Sequence, residues 1–284
     1  MKPSAFAYAR PRALREVLAL LERHGDDAKL LAGGQSLLAS LNMRLSAPGI
    51  LVDIGAIPGL DGIALKGRTL AIGARVTHRA IERSELVAQH VPLLAQAAPH
   101  IAHIAIRNAG TLGGSLAMAD PAAEWPACCV ALQATIVVAS KKGKRRIAAG
   151  EFFKDLYTTA LGAGEMITAV EFQRARKDER HVFLELVRRR GDYAIVGLAA
   201  RARFARKALS EVQLVYLGVG VKPEPAKAAM AALEGKAADE AAVRAAQAAL
   251  DSDLSPSADL YTSADAKRHM ARVLLARAVA ALAG

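Results

Sequence analysis

Ala32-Gly33-Gly34-Gln35-Ser36-Leu37 and Thr111-Leu112-Gly113-Gly114-Ser115-Leu116 each place a glycine pair beside a hydroxyl residue, in a chain otherwise built from Ala, Leu and Arg. A Gly-Gly pair permits φ > 0 and lets a ligand come close to the backbone. Successive N–H groups in such a turn form a concave nest suited to phosphate oxygens. Two such segments suggest a ligand with a long, doubly charged middle, such as the pyrophosphate of a dinucleotide. A Rossmann βαβ unit would need G-x-G-x-x-G after a strand, with an acidic residue about 20 positions on. Neither segment fits. Gly218-Val219-Gly220 supplies the first half, but Pro223 stands where the third glycine belongs. No G-x-x-x-x-G-K-[ST] is present either, which excludes a P-loop. The two segments therefore belong to another kind of dinucleotide site, in which separated stretches each hold part of the pyrophosphate.

The sequence around them alternates short strands and helices. Leu14, Val17, Leu18 and Leu21 mark one face of a helix over Pro11–His24, stopped by Gly25. Lys29–Ala32 reads as a short strand entering the first glycine segment, and Ser36–Leu41 as a short helix leaving it. Strands are expected at Ile50–Ile54, Thr69–Ala74, Ala134–Ala139, Arg145–Ala148 and Glu165–Gln173. Helical patches are expected at His78–Ser84 and Pro92–Ala98, and a buried helix at Pro126–Leu132. The charged interval Arg174–Arg180 has no apolar face and is the expected domain boundary. Beyond it, strands at His181–Val187, Ala194–Phe204 and Val212–Val219 precede helices at Pro223–Leu233, Glu240–Leu250 and Ser263–Leu282. That order suggests a small α+β domain.

Composition narrows the function classes. With 284 residues, 53% hydrophobic and 23% charged, the chain can bury two cores. Its net charge of +11 raises the question of nucleic acid, but aromatics are only 4% and no stacking platform accompanies the basic residues. The one dense run, Lys141 to Arg146, falls between two strands and reads as a solvated hairpin turn. The only cysteines, Cys128 and Cys129, are neighbours that suit a reduced core and cannot by themselves hold zinc or an iron–sulfur cluster. The first residues lack the apolar run of a secretory leader, and the uncharged stretch Trp125–Ser140 is too short for a membrane span. A cytoplasmic chain is expected. His100 and His103 lack a third ligand, so no metal site is assigned. No acid/base pair or nucleophile–His arrangement stands out, so no catalytic residue is assigned either.

Leu31 to Leu38 and Ile106 to Ala117, followed by Asp120-Pro121-Ala122-Ala123-Glu124, resemble the FAD-binding medium subunit of molybdenum hydroxylases. That family includes the carbon monoxide dehydrogenase medium subunit and the flavin domain of xanthine dehydrogenase. Arg188-Arg189-Arg190-Gly191-Asp192-Tyr193 also resembles it, at the start of its C-terminal domain, so the likeness spans the chain in order. The resemblance implies an α+β fold: a two-lobed FAD-binding domain of the vanillyl-alcohol-oxidase type over 1–176. A small C-terminal α+β domain of the carbon monoxide dehydrogenase flavoprotein type, a three-stranded antiparallel sheet with helices, would follow over 177–284.

By that resemblance, Ala32, Gly33, Gly34, Gln35, Ser36 and Leu37, with Thr111, Gly113, Gly114 and Ser115, supply N–H and hydroxyl groups to the FAD pyrophosphate. Leu31, Ile101, Ile106 and Leu161 join the cofactor site. Glu124 accepts hydrogen bonds from ribose or ring N–H groups, or else simply favours the positive end of a following helix. Asp120 is a second cofactor contact or a turn starter before proline. Tyr193 lies against the isoalloxazine ring or is a half-buried strand tyrosine. Some family members carry other polar residues at the positions of Gln35 and Ser115. The implied partners are a large subunit with the molybdenum cofactor and a small subunit with two [2Fe–2S] clusters, in a dimer of heterotrimers. The implied function is electron transfer from those clusters through FAD to a terminal acceptor. A self-contained flavin oxidase or dehydrogenase, and a basic phosphate- or RNA-binding protein, are the alternatives.

Overall fold

A computed structural model describes residues 2–284. The first lobe is a parallel sheet of β1 (Ala7–Ala9), β2 (Ala28–Leu31) and β3 (Ile50–Asp53), in the order β1-β3-β2. Helix α1 (Leu14–His24) buries Val17, Leu18 and Leu21 against it. The helix starts at Leu14 rather than Pro11 because the Glu16 carboxylate reaches back to accept from the N–H groups of Arg12 and Ala13. That interaction satisfies donors at the helix start. Helix α2 (Leu37–Asn42) follows the first glycine segment.

The middle lobe is an antiparallel sheet whose strands come from distant parts of the chain. It contains β4 (Ile63–Lys66), β5 (Thr69–Gly73), β6 (Thr135–Ser140) and β7 (Gly143–Ala148). After the short hairpin of β8 (Phe153–Asp155) and β9 (Thr158–Thr159), β10 (Met166–Gln173) inserts between β5 and β6. Between β5 and β6 run α3 (His78–Glu82), α4 (Glu85–His90), α5 (Pro92–Ala97), α6 (Ile104–Ala109), α7 (Leu112–Met118) and α8 (Glu124–Ala131). The single turn α9 (Ala149–Phe152) precedes β8. The basic turn does join β6 to β7, and three of its five charges are paired: Lys141 with Glu22, Arg146 with Glu171, and Arg145 with Glu165 at 2.6 Å.

The third unit is an antiparallel sheet of β11 (Glu179–Leu186), β12 (Val196–Ala205), β13 (Ala208–Leu217) and β14 (Glu224–Pro225). The two-residue β14 makes this sheet four-stranded where three strands were expected. Helices α10 (Lys227–Leu233), α11 (Glu240–Asp253) and α12 (Ala264–Ala283) cover one face. Val196, Leu198, Ala200 and Ala202 of β12 point to those helices, while Ala199, with Val215 and Leu217 of β13, joins the core of the middle lobe. This period-two alternation puts the sheet between two apolar layers. Among the described residues, no helix is long and apolar enough to cross a membrane.

The shared layer predicts a sensitive position. Ala199 is fully buried in the core that holds Trp125 and Cys128, so Ala199→Leu should destabilise by about 1–3 kcal/mol through overpacking. Ala205→Leu, at the exposed end of the same strand, should leave urea unfolding unchanged.

Candidate functional site

Strand β2 ends at Leu31, and the chain turns through Ala32–Ser36 into α2. Of the two glycines in the turn only Gly34 uses its freedom of φ, at +71°. Gly33 is required for a different reason. A Cβ there would stand 2.1 Å from the carbonyl oxygen of Ala109 and 2.9 Å from Gly110 Cα. The first glycine segment is thus pressed onto the backbone that leads into the second. Gln35 folds back on the turn, its Nε2 donating to the Gly33 carbonyl at 3.0 Å. The carbonyls of Gly34 and Ser36 accept from Leu38 and Ser40 as α2 begins. In contrast, the N–H groups of Gly33, Gly34, Gln35, Ser36 and Leu37 meet no acceptor among the described residues. Five consecutive unpaired donors along one turn are a ready anion nest.

The second segment differs from its expected form. Leu112 to Met118 is helical, with Thr111 as its N-cap accepting the Gly114 N–H at 3.2 Å. Neither Gly113 nor Gly114 has positive φ. Gly113 is there because a Cβ would lie 2.6 Å from that of Ala74, and Gly114 because one would lie 2.8 Å from Thr111 Oγ1. Leu112 donates to Val76 O, Gly113 to Ala74 O and Ser115 to Thr111 O. The expectation that this whole segment offers amides to a ligand is therefore corrected: those of residues 112–115 are engaged inside the protein. What remains is the Thr111 N–H and the half-buried Ser115 side chain.

Three supporting residues were not singled out from the sequence. His78 lies under Gly110, where a Cβ would come within 2.6 Å of its Nε2, and its own N–H donates to the Gly110 carbonyl at 2.9 Å. The buried Trp125 Nε1–H donates to His78 Nδ1 at 2.9 Å, which leaves the ring proton on Nε2. Burial, helped by the nearby Arg107, lowers the His78 pKa to about 4, so the imidazole is neutral. Arg107 donates to Glu82 at 3.0 Å and to the carbonyls of Ile101 and Ala102, fixing the chain before α6.

A second group gathers at the C-terminal side. Tyr193 sits in the loop between β11 and β12 and is 73% exposed, so it is not a packed strand tyrosine. Its hydroxyl lies in the electrostatic field of Asp120, Tyr157 and Glu124. Asp120 Oδ1 accepts from Ala122 N–H at 2.9 Å, so it does start the turn before α8. Glu124 is the first residue of α8 and not a residue ahead of it. It is buried, and burial, reinforced by Glu185 and Asp120, raises its pKa to about 8. Ile101 is part of the apolar core, while Leu31, Ile106 and Leu161 are half-buried. Gly218, the start of the partial Rossmann pattern, donates its N–H to Pro121 O and serves the same turn.

Two measurements follow from this geometry. Gly33→Ala should force Gly33 away from Ala109 and lower stability by about 1–3 kcal/mol in urea unfolding; wild-type stability would contradict the contact. Glu124 supplies a pH signature. Between its reference value of 4.5 and about 8 the folded state holds a proton that the unfolded chain has released. Stability contributed by this group therefore falls as pH rises, by at most about 1.4 kcal/mol per pH unit. His78 acts with opposite sign, and only between about 4 and 6.5. From pH 6.5 to 8, the melting temperature of the cofactor-free chain should fall less steeply in Glu124→Gln than in wild type.

Residues 4–172 match the family described as the FAD binding domain in molybdopterin dehydrogenase, and residues 181–282 match the CO dehydrogenase flavoprotein C-terminal domain. The chain is 36% identical to the nicotine 6-hydroxylase medium subunit of Paenarthrobacter nicotinovorans, across 98% of both chains. It is 35% identical to the carbon monoxide dehydrogenase medium chain of Hydrogenophaga pseudoflava, across 98% of this chain and 97% of that one. A solved carbon monoxide dehydrogenase from Hydrogenophaga pseudoflava, lacking the Mo-pyranopterin moiety, superposes with a TM-score of 0.97 at 37% identity, covering 99% of this chain and 98% of that one. Quinoline 2-oxidoreductase from Pseudomonas putida 86 superposes with a TM-score of 0.94 at 37% identity, covering 100% and 98%. With both halves matched in order and the fold shared end to end, the chain belongs to the FAD-binding medium-subunit family of the molybdenum hydroxylases, as an oxidoreductase subunit.

Proposed function

We propose that this chain is the electron-transfer subunit of a heteromeric molybdenum hydroxylase of the cytoplasm. A small subunit would deliver electrons from its [2Fe–2S] clusters, and a large subunit with the molybdenum cofactor would oxidise the organic substrate. The assembly is proposed to be a dimer of heterotrimers, with this chain divided at 176/177 into FAD-binding and C-terminal domains. The observation that carries the proposal is the row of unpaired amides from Gly33 to Leu37, pressed by its glycine against Ala109–Gly110. Those donors, together with the Thr111 N–H and the Ser115 hydroxyl, suit a pyrophosphate.

FAD, when bound, supplies the redox chemistry. The protein's part is to hold and shield it. Gly33 to Leu37 neutralise phosphate charge with amides that need no reorganisation, while Leu31, Ile106 and Leu161 offer apolar walls. Glu124, protonated at neutral pH, can donate as well as accept a hydrogen bond. Tyr193, exposed and on a loop, can lie over the ring and govern access to it. A nucleic-acid reading has less support, because Lys141, Arg145 and Arg146 of the basic turn each have an acidic partner within the chain.

The test is stopped-flow mixing of the FAD-loaded chain with a dithionite-reduced [2Fe–2S] partner subunit. Bleaching of the flavin band as the cluster reoxidises is the expected result. Flavin that stays oxidised, while the isolated chain itself turns over an organic substrate, would establish a self-contained flavoenzyme instead.

A further inference from the structure

Tyr193 stands directly after a four-residue turn, Arg189 to Asp192, closed by the Asp192 N–H donating to the Arg189 carbonyl at 3.0 Å. Gly191 has φ +89°, which suits the third residue of a type II turn. Arg188 stands directly before the same turn, so Arg188 and Tyr193 flank one hydrogen-bonded unit. That unit touches the middle lobe at Gly191, where a Cβ would come within 2.7 Å of the His103 ring and 3.1 Å of the Ala102 carbonyl. Beside that contact Arg190 and Gly191 line a cavity of about 260 Å³ with Pro99, His100, Glu185 and Val187. The buried Glu185 Oε2 has no hydrogen-bond partner among the described residues. A void supplies no packing contacts, so the core beneath leaves the turn room to tip.

The turn is held from another side. The Arg188 guanidinium carbon lies 5.2 Å from the centroid of the Tyr261 ring, within the range of a cation–π contact. Tyr261 is 79% exposed, so it adds little to any core, yet its backbone is fixed. Asp259 Oδ1 accepts from the N–H groups of Tyr261 and Thr262 at 2.8 and 2.9 Å. The Asp259 N–H donates to the Thr262 carbonyl at 3.0 Å, and Lys267 Nζ lies 2.9 Å from Asp259 Oδ2. Lys267 is a buried residue of α12, which ties the Tyr261 turn to the helical layer. A ring exposed to solvent on a fixed turn is a preorganised platform for the guanidinium.

We propose that Tyr261 is a positioning residue for Tyr193. By stacking on Arg188 it holds the Arg189–Asp192 turn in place, and with it the tyrosine that lies over the flavin ring. The inference rests on the reading that FAD occupies the cleft with Tyr193 against its ring. Releasing Arg188 frees the turn to tip over the cavity and carries Tyr193 off the ring. At an exposed site a cation–π contact shifts the balance between two loop positions by about two- to five-fold.

Time-resolved flavin fluorescence of the FAD-loaded complex reads the two positions separately, because a phenol ring stacked on a flavin quenches it and a displaced one does not. Tyr261→Ala should enlarge the long-lived, unquenched fraction by about two- to five-fold while flavin content stays at the wild-type level. Tyr261→Phe, which keeps the ring face, should behave as wild type. Arg188→Gln should match Tyr261→Ala, and the double variant should add nothing further, as for two halves of one contact. Tyr193→Ala should abolish the quenching in every background. An unquenched fraction that stays at wild type in Tyr261→Ala, although Tyr193→Ala removes the quenching, would overturn the positioning role and leave the flavin reading standing. Additive effects of Arg188→Gln and Tyr261→Ala, or a Tyr261→Phe complex that behaves like Tyr261→Ala, would overturn it equally. Quenching that persists in Tyr193→Ala, or a wild-type complex without flavin, would overturn the reading beneath the inference and the inference with it.

Discussion

The closest backbone approach in the site, Gly33 against Ala109 and Gly110, is the constraint on which the rest of the cleft depends. It joins the parallel sheet of the first lobe to the helical layer of the middle lobe, where Gly33 leaves no side chain to hold the two backbones apart. His78 supports the contact from beneath, as a neutral ring oriented by Trp125 and tied to the Gly110 carbonyl. With the turn held this way, its carbonyls close α2 while its amides face outward unpaired. The proposed anion nest is thus a by-product of how two lobes are pressed together.

The same economy shapes the other side of the cleft. Helix α8 is packed on the C-terminal sheet, and that sheet is buried on both faces. Glu124, as the first residue of α8, is carried into the interior by its neighbours' packing and ionises with difficulty there. The loop from β11 to β12 presents Tyr193 to solvent. A carboxyl buried by the architecture and an aromatic left exposed by it are the result.

Much of this was legible in the sequence. Helix α1, strands β5 and β10 and the three C-terminal helices follow from apolar periodicity, since their burial is decided within each element. The resemblance of the glycine segments and their surroundings to a known family named the cofactor. The second segment was misjudged because Gly-Gly favours a turn by local preference. Acceptors on Ala74 and Val76, remote in sequence, hold it helical instead. His78 was invisible for a similar reason: its partner Trp125 lies 47 positions away. Arg107 was quoted only as part of a motif, and its bond to Glu82 spans 25 positions. The burial of Glu124 and the orphaned oxygen of Glu185 are products of tertiary packing, and no local pattern encodes them.

The most direct test of the central claim is amide hydrogen exchange of this chain with and without FAD. The account predicts new protection across Gly33 to Leu37 on FAD binding, with little change at residues 112–115, whose amides are already bonded. Protection confined to residues 112–115, or none in the first segment, would contradict it.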